Sequence, residues 1–143
     1  MRILIAVDLT DADAEDFVRE AARWGRGLGA TADLMFVDEA ADQNPWIGDD
    51  TLRTLMSTHY DAWHEGLKER LALLLDAVPE GLRGDAHVVR GRATPTLLDA
   101  MDRYDALVVG NRATAGLARL AHGMVAERVT RQIDKPVLVI PRS

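Results

Sequence analysis

Residues 105–126 read DALVVGNRATAGLARLAHGMVA, and the interpretation of this stretch decides the fold. Ala106-Leu107-Val108-Val109 is a short apolar run ending at Gly110, the pattern of a buried strand. Twelve residues follow before Gly123, among them Arg112, Arg119 and His122. Gly123 opens Met124-Val125-Ala126-Glu127-Arg128-Val129, which has helical spacing, with Glu127 suited to the positive end of the dipole. The stretch predicts a strand end, a basic loop and a helix start. Unpaired N–H groups and a partial positive charge at such a start attract anions, phosphate above all. Gly110 and Gly123 would let the backbone turn tightly or approach a ligand. A plain connection with glycines serving only its turns is the alternative reading. Long loops in small domains are often functional, and ligands of open parallel sheets sit beyond the carboxyl ends of the strands.

Working outward, Ile3 to Val7 predicts a first buried strand that stops at Asp8. Asp8-Leu9-Thr10-Asp11 is turn material with candidate helix caps. Phe17, Val18, Ala21, Ala22, Trp24 and Leu28 recur at helical intervals, and Gly25, Gly27 and Gly29 close that helix. A G-x-G-x-G string at a helix end caps rather than binds a dinucleotide, which needs it between strand and helix. Ala32 to Val37 is the second strand. Thr51 to Val78 is helical, with Leu52, Leu55, Met56, Tyr60, Trp63, Leu67, Leu71 and Leu74 as its apolar stripe, until Pro79, Gly81 and Gly84 break it. Ala86 to Val89 is strand three, Gly91 a turn, and Thr94-Pro95 a helix start whose inner face is Leu97, Leu98 and Met101. Val137 to Ile140 is the fifth strand. The order βαβαβαβαβ predicts an α/β domain, a single doubly wound, Rossmann-like, five-stranded parallel sheet with helices on both faces and one domain over residues 1–143.

Composition narrows the function. With 143 residues, 48% hydrophobic and 28% charged, the chain reads as an ordinary soluble domain. A net charge of −6 argues against a general nucleic-acid binder. No cysteine is present, which excludes disulfides, thiolate catalysis and Cys-ligated zinc. No apolar run approaches the ~18 residues of a membrane span, and the start lacks a signal-peptide pattern, so a cytoplasmic location is expected. His59 and His64, five apart, do not share a helix face as a metal pair would. His87 alternates within a strand pattern and reads as structural or exposed, and His122 lacks a nearby Ser or Cys to activate. No triad is legible, and neither catalysis nor a metal site is expected. Asp49-Asp50 and Asp11/Asp13 read as solvated turn carboxylates. Trp24, Trp46 and Trp63 are dispersed, which suits core or interface packing better than a stacking platform.

The chain resembles the universal stress protein family, whose nucleotide loop runs Gly, two residues, Gly, nine residues, Gly, then Ser or Thr. Gly110 and Gly123 fit that spacing, as do Val125, Glu127-Arg128-Val129 and the closing Lys135-Pro136-Val137-Leu138-Val139-Ile140. Three positions depart from it. The middle glycine is Ala113, the hydroxyl residue after the last glycine is Met124, and a second frequent Ser or Thr position is Ala126. The resemblance implies a strand order of 3-2-1-4-5 and a ligand, ATP or AMP. It implies a pocket from Ala6, Asp8, Val37, Val109, Gly110, Arg112, Ala113, Gly123, Met124, Val125 and Ala126, with Asp8 at the nucleoside and Val37 at the adenine. It also implies a homodimer through Val137, Leu138, Val139 and Ile140, a bare apolar edge that invites pairing or a partner protein's strand. In nucleotide-binding members the replaced hydroxyls hold phosphate oxygens, so weak or absent ATP binding is expected. Arg112 and Arg119 are the groups that could compensate. A regulatory module is the leading expectation, an ATP or AMP sensor the alternative.

Overall fold

Alternating burial along the first strand sets the layers. In a computed structural model, which describes residues 1–39, 50–112 and 127–142, β1 (Arg2–Ala6) sends Ile3 and Ile5 to one face and Leu4 to the other, all three fully buried. β2 (Thr31–Asp38), β3 (Arg83–Arg90), β4 (Ala106–Arg112) and β5 (Val137–Arg142) complete a parallel sheet of five strands in the order β3-β2-β1-β4-β5. The order agrees with the one the resemblance implied.

Helices α1 (Ala14–Leu28) and α2 (Asp50–Leu74) cover one face. There Phe17, Val18, Leu67 and Leu71 pack with Ile3, Ile5, Leu34 and Val108. The other face is covered by α3 (Ala93–Ala100) and a helix over residues 127–132, α4, whose Leu97 and Val129 join Leu4, Met35, Met101, Leu107 and Val109. Two short 3-10 turns follow α2, and a third, Met101–Arg103, follows α3. Lys135 Nζ ties off the carbonyls of Met101 (2.5 Å) and Tyr104 (2.7 Å), placing a cation where the α3 segment ends.

Several sequence expectations need correction. Gly25 and Gly27 lie inside α1, and only Gly29 ends it, in the left-handed conformation (φ 65°) with its N–H on the Arg26 carbonyl. Gly25 is there for closeness, since a Cβ would come within 2.9 Å of Ile3 Cδ1. Gly84 belongs to β3 rather than to the break after α2. β4 does not stop at Gly110 but runs to Arg112, with Gly110 opposite Ile140, so Gly110 makes no turn. Trp24, Leu28 and Trp63 fit the helical spacing yet are about half exposed, because α1 and α2 each bury a narrower stripe than the sequence suggests.

Replacing Gly29 by Ala should cost about 1 kcal/mol in urea unfolding, since only the left-handed backbone is penalised and no heavy atom crowds the site within 4 Å.

Candidate functional site

Because all strands are parallel, their carboxyl ends share one edge of the sheet. Ala6 closes β1, Val37 is the next-to-last residue of β2, and Val109 and Gly110 lie toward the end of β4. Ile5 pairs with Val108, so Ala6 and Val109 are level, whereas Ala6 pairs with Met35, so Val37 stands two residues further along, beside Val89. Ala6, Val37 and Val109 all face the α3/α4 side, together with Val89 and Val139, and form an apolar floor. Gly110 follows on β4, paired with Ile140 of β5.

Asp8 lies two residues beyond β1. Its Oδ1 accepts bonds from the Thr10 N–H (2.9 Å) and the Thr10 hydroxyl (2.6 Å), an Asx turn that fixes the β1–α1 loop. Leu9 is buried beside it and its carbonyl accepts from Arg70 of α2 (2.7 Å), so the loop is held from both sides. Across the edge, the Gly91 N–H reaches the Asp38 carbonyl (3.1 Å) and Glu39 Oε1 accepts from the Ala93 N–H (2.8 Å). Glu39 therefore fills the anion position at the start of α3. A ligand phosphate has to look elsewhere.

Arg112 ends β4, at the edge where that phosphate is expected. Ala113, Gly123, Met124, Val125 and Ala126, like Arg119 and His122, lie outside the described residues. On α4, Glu127 pairs with Arg131 (2.6 Å) one turn on, an exposed pair that supports the helix.

A second polar cluster, unforeseen from the sequence, sits in the amino-terminal half of the sheet. Asp33 is 3% exposed. Its Oδ2 accepts from the Tyr104 hydroxyl (2.6 Å) and Arg2 (3.0 Å) and lies 3.4 Å from His87 Nε2. Its Oδ1 accepts from the Asp85 N–H (2.9 Å). Arg2 also stacks over the Tyr104 ring at 5.2 Å. Burial pushes the Asp33 carboxyl up, but the bonds from Tyr104, Asp85 and His87 and the charge of Arg2 outweigh it, so the group is held below its ordinary range. The same burial, with the Asp33 bond and charge, pushes the Tyr104 hydroxyl up to about 12. Asp33, Asp85 and His87 offer three ligand-type atoms within 4.8 Å of one another. A cation entering there would have to displace the Arg2 guanidinium, so the arrangement is built as a hydrogen-bond hub joining β1, β2, β3 and the approach to β4. The available signal was a lone acid in the apolar run Ala32-Asp33-Leu34-Met35-Phe36.

A doubly wound parallel sheet in the order β3-β2-β1-β4-β5 with helices on both faces defines the Rossmann-like class of α/β domains. The chain belongs to the universal stress protein family, whose model matches residues 1–141. Among solved structures it is similar to a universal stress protein in complex with cAMP, at 17% identity and TM-score 0.67 over 100% of this chain and 98% of that one. It is similar also to the universal stress protein from Archaeoglobus fulgidus in complex with dAMP, at 21% identity and TM-score 0.62, covering 98% of this chain and 97% of that one. The universal stress protein UspA from Lactobacillus plantarum shares 21% identity with TM-score 0.68, again covering 98% and 97%. No curated protein matches the chain in sequence. No helix among the described residues is long and apolar enough to cross a membrane.

Proposed function

We propose that this chain is a cytoplasmic regulatory domain of the universal stress protein family that acts as a homodimer, without enzymatic activity, and binds ATP weakly or not at all. The observation that carries the reading is the convergence of Ala6, Val37 and Val109 on one face at the carboxyl edge, with Asp8 just beyond. This is a floor for a flat apolar group, with the Asp8 turn just beyond the end of β1. What the chain lacks is the pair of phosphate-binding hydroxyls, since Met124 and Ala126 stand where the family carries them. Two such contacts at roughly 1.5 kcal/mol each are worth on the order of a hundredfold in affinity. Wild-type protein should therefore give no resolvable heat when titrated with micromolar ATP, with or without Mg²⁺.

The alternative is an ATP or AMP sensor using the same edge, from Gly110 to Ala126. Its support is that two structurally similar proteins are described as complexes with cAMP and dAMP. A monophosphate leans less on the replaced hydroxyls than a triphosphate does, so AMP is the competitor to include in the titration.

Dimerisation has its motive in β5, which among the described residues pairs with β4 alone and ends the sheet. Val137, Leu138 and Val139 are half-buried, and Pro141 lacks an N–H, confining useful pairing to the residues before it. Val139→Pro should lower the mass in light scattering by abolishing pairing at β5, whereas an unchanged mass would remove β5 from the interface.

A further inference from the structure

Helix α1 carries a surface that neither the sheet edge nor the pocket uses. Trp24 and Leu28, one turn apart, are 54% and 56% exposed, a contiguous apolar strip on a helix whose inner face is already packed. Glu20, Arg23 and Trp24 line one groove beside it, of about 300 Å³. Nearer the start of the same helix the charges pair internally, with Arg19 bonded to Glu15 (2.7 Å) and within 3.8 Å of Asp16. Glu20 and Arg23 form no ion pair among the described residues, although they are three apart. An acid, a base and an indole thus face solvent together.

We propose that this surface binds a second copy of the chain, α1 against α1. The surface is self-complementary in charge. In a two-fold contact residue i meets j and j meets i. With the helices antiparallel and the dyad between positions 20 and 23, Glu20 of each copy meets Arg23 of the other. Trp24 then packs beside both pairs and Leu28 extends the apolar strip. Trp and Arg are the residue types that most often anchor such interfaces. Helix axes 8–10 Å apart leave room for these chains to interdigitate. A chain of net charge −6 repels its own copies in general, so a contact between them requires local pairing of this kind. This helix surface is distinct in evidence from pairing at β5.

Sedimentation velocity over a concentration series tests it, using Glu20→Arg, Arg23→Glu, the double exchange and Trp24→Ser, with circular dichroism to confirm folding. All three positions are exposed, so the variants should fold. Trp24→Ser and each single reversal should weaken self-association about tenfold or more, and the double exchange should restore it. A Trp24→Ser dissociation constant equal to wild type, a double exchange no tighter than the singles, or a wild type monomeric throughout would each overturn the proposal. Loss of the dimer in Val139→Pro with every α1 variant unchanged would overturn it too, while leaving edge pairing standing.

Discussion

Replacing Gly84 by Ala should destabilise the protein by roughly 3 kcal/mol or more, beyond the usual cost of an added methyl group. Gly84 lies where β3 slips register against β2, between the partners of Ala32 and Leu34. A Cβ there would overlap Asp33 Oδ1 and stand 2.8 Å from the Ala32 carbonyl oxygen. Neither neighbour can yield cheaply. The Ala32 carbonyl is backbone in the sheet, and the Asp33 carboxylate is held by Tyr104 and Asp85. Urea unfolding measures the loss, and a cost below about 1 kcal/mol would mean that the strands part easily here. The penalty should shrink in an Asp33→Ala background, where one of the two obstacles is gone, and a double-mutant cycle reads that coupling.

Asp33→Ala is the second large effect, a loss of roughly 3 kcal/mol near neutral pH. The substitution leaves the buried Tyr104 hydroxyl and the Asp85 N–H without their acceptor, while Arg2, half exposed, returns to water at little cost. The pH dependence has a definite sign. Asp33 is held below its ordinary value in the folded protein, so the unfolded chain binds its proton first on acidification. Its contribution is complete above the ordinary carboxylate range and is lost as pH falls through the lower folded value. The stability gap between wild type and Asp33→Ala should narrow over that acid window. A gap that stays constant down to acid unfolding would mean that the charge of Asp33 contributes nothing.

Much of this architecture was legible because short apolar runs at regular spacing fix a parallel α/β sheet, and one burial pattern serves both core layers. The shared face of Ala6, Val37 and Val109 was legible through the same runs, since all three are strand residues on the α3/α4 side. What stayed hidden depends on contacts between distant segments. Asp33 and Tyr104 are 71 residues apart, and no local pattern links them. Glu39 reaches across to Ala93, and Arg70 to Leu9. Gly84 misled in another way. As a local signal it means a break, whereas its position in β3 reflects a carboxylate packed against it. Trp24 and Leu28 matched the helical period but fall outside the stripe that α1 buries.

We propose that a nucleotide-type pocket has lost its grip on phosphate through Met124 and Ala126. Calorimetric titration with ATP and with AMP, with and without Mg²⁺, should be run on wild type beside Met124→Ser/Ala126→Ser. Wild type silent toward ATP and the double variant binding at least a hundredfold more tightly is the result this account predicts. Micromolar ATP binding by wild type, unchanged in the variant, would contradict it and make the protein a nucleotide sensor.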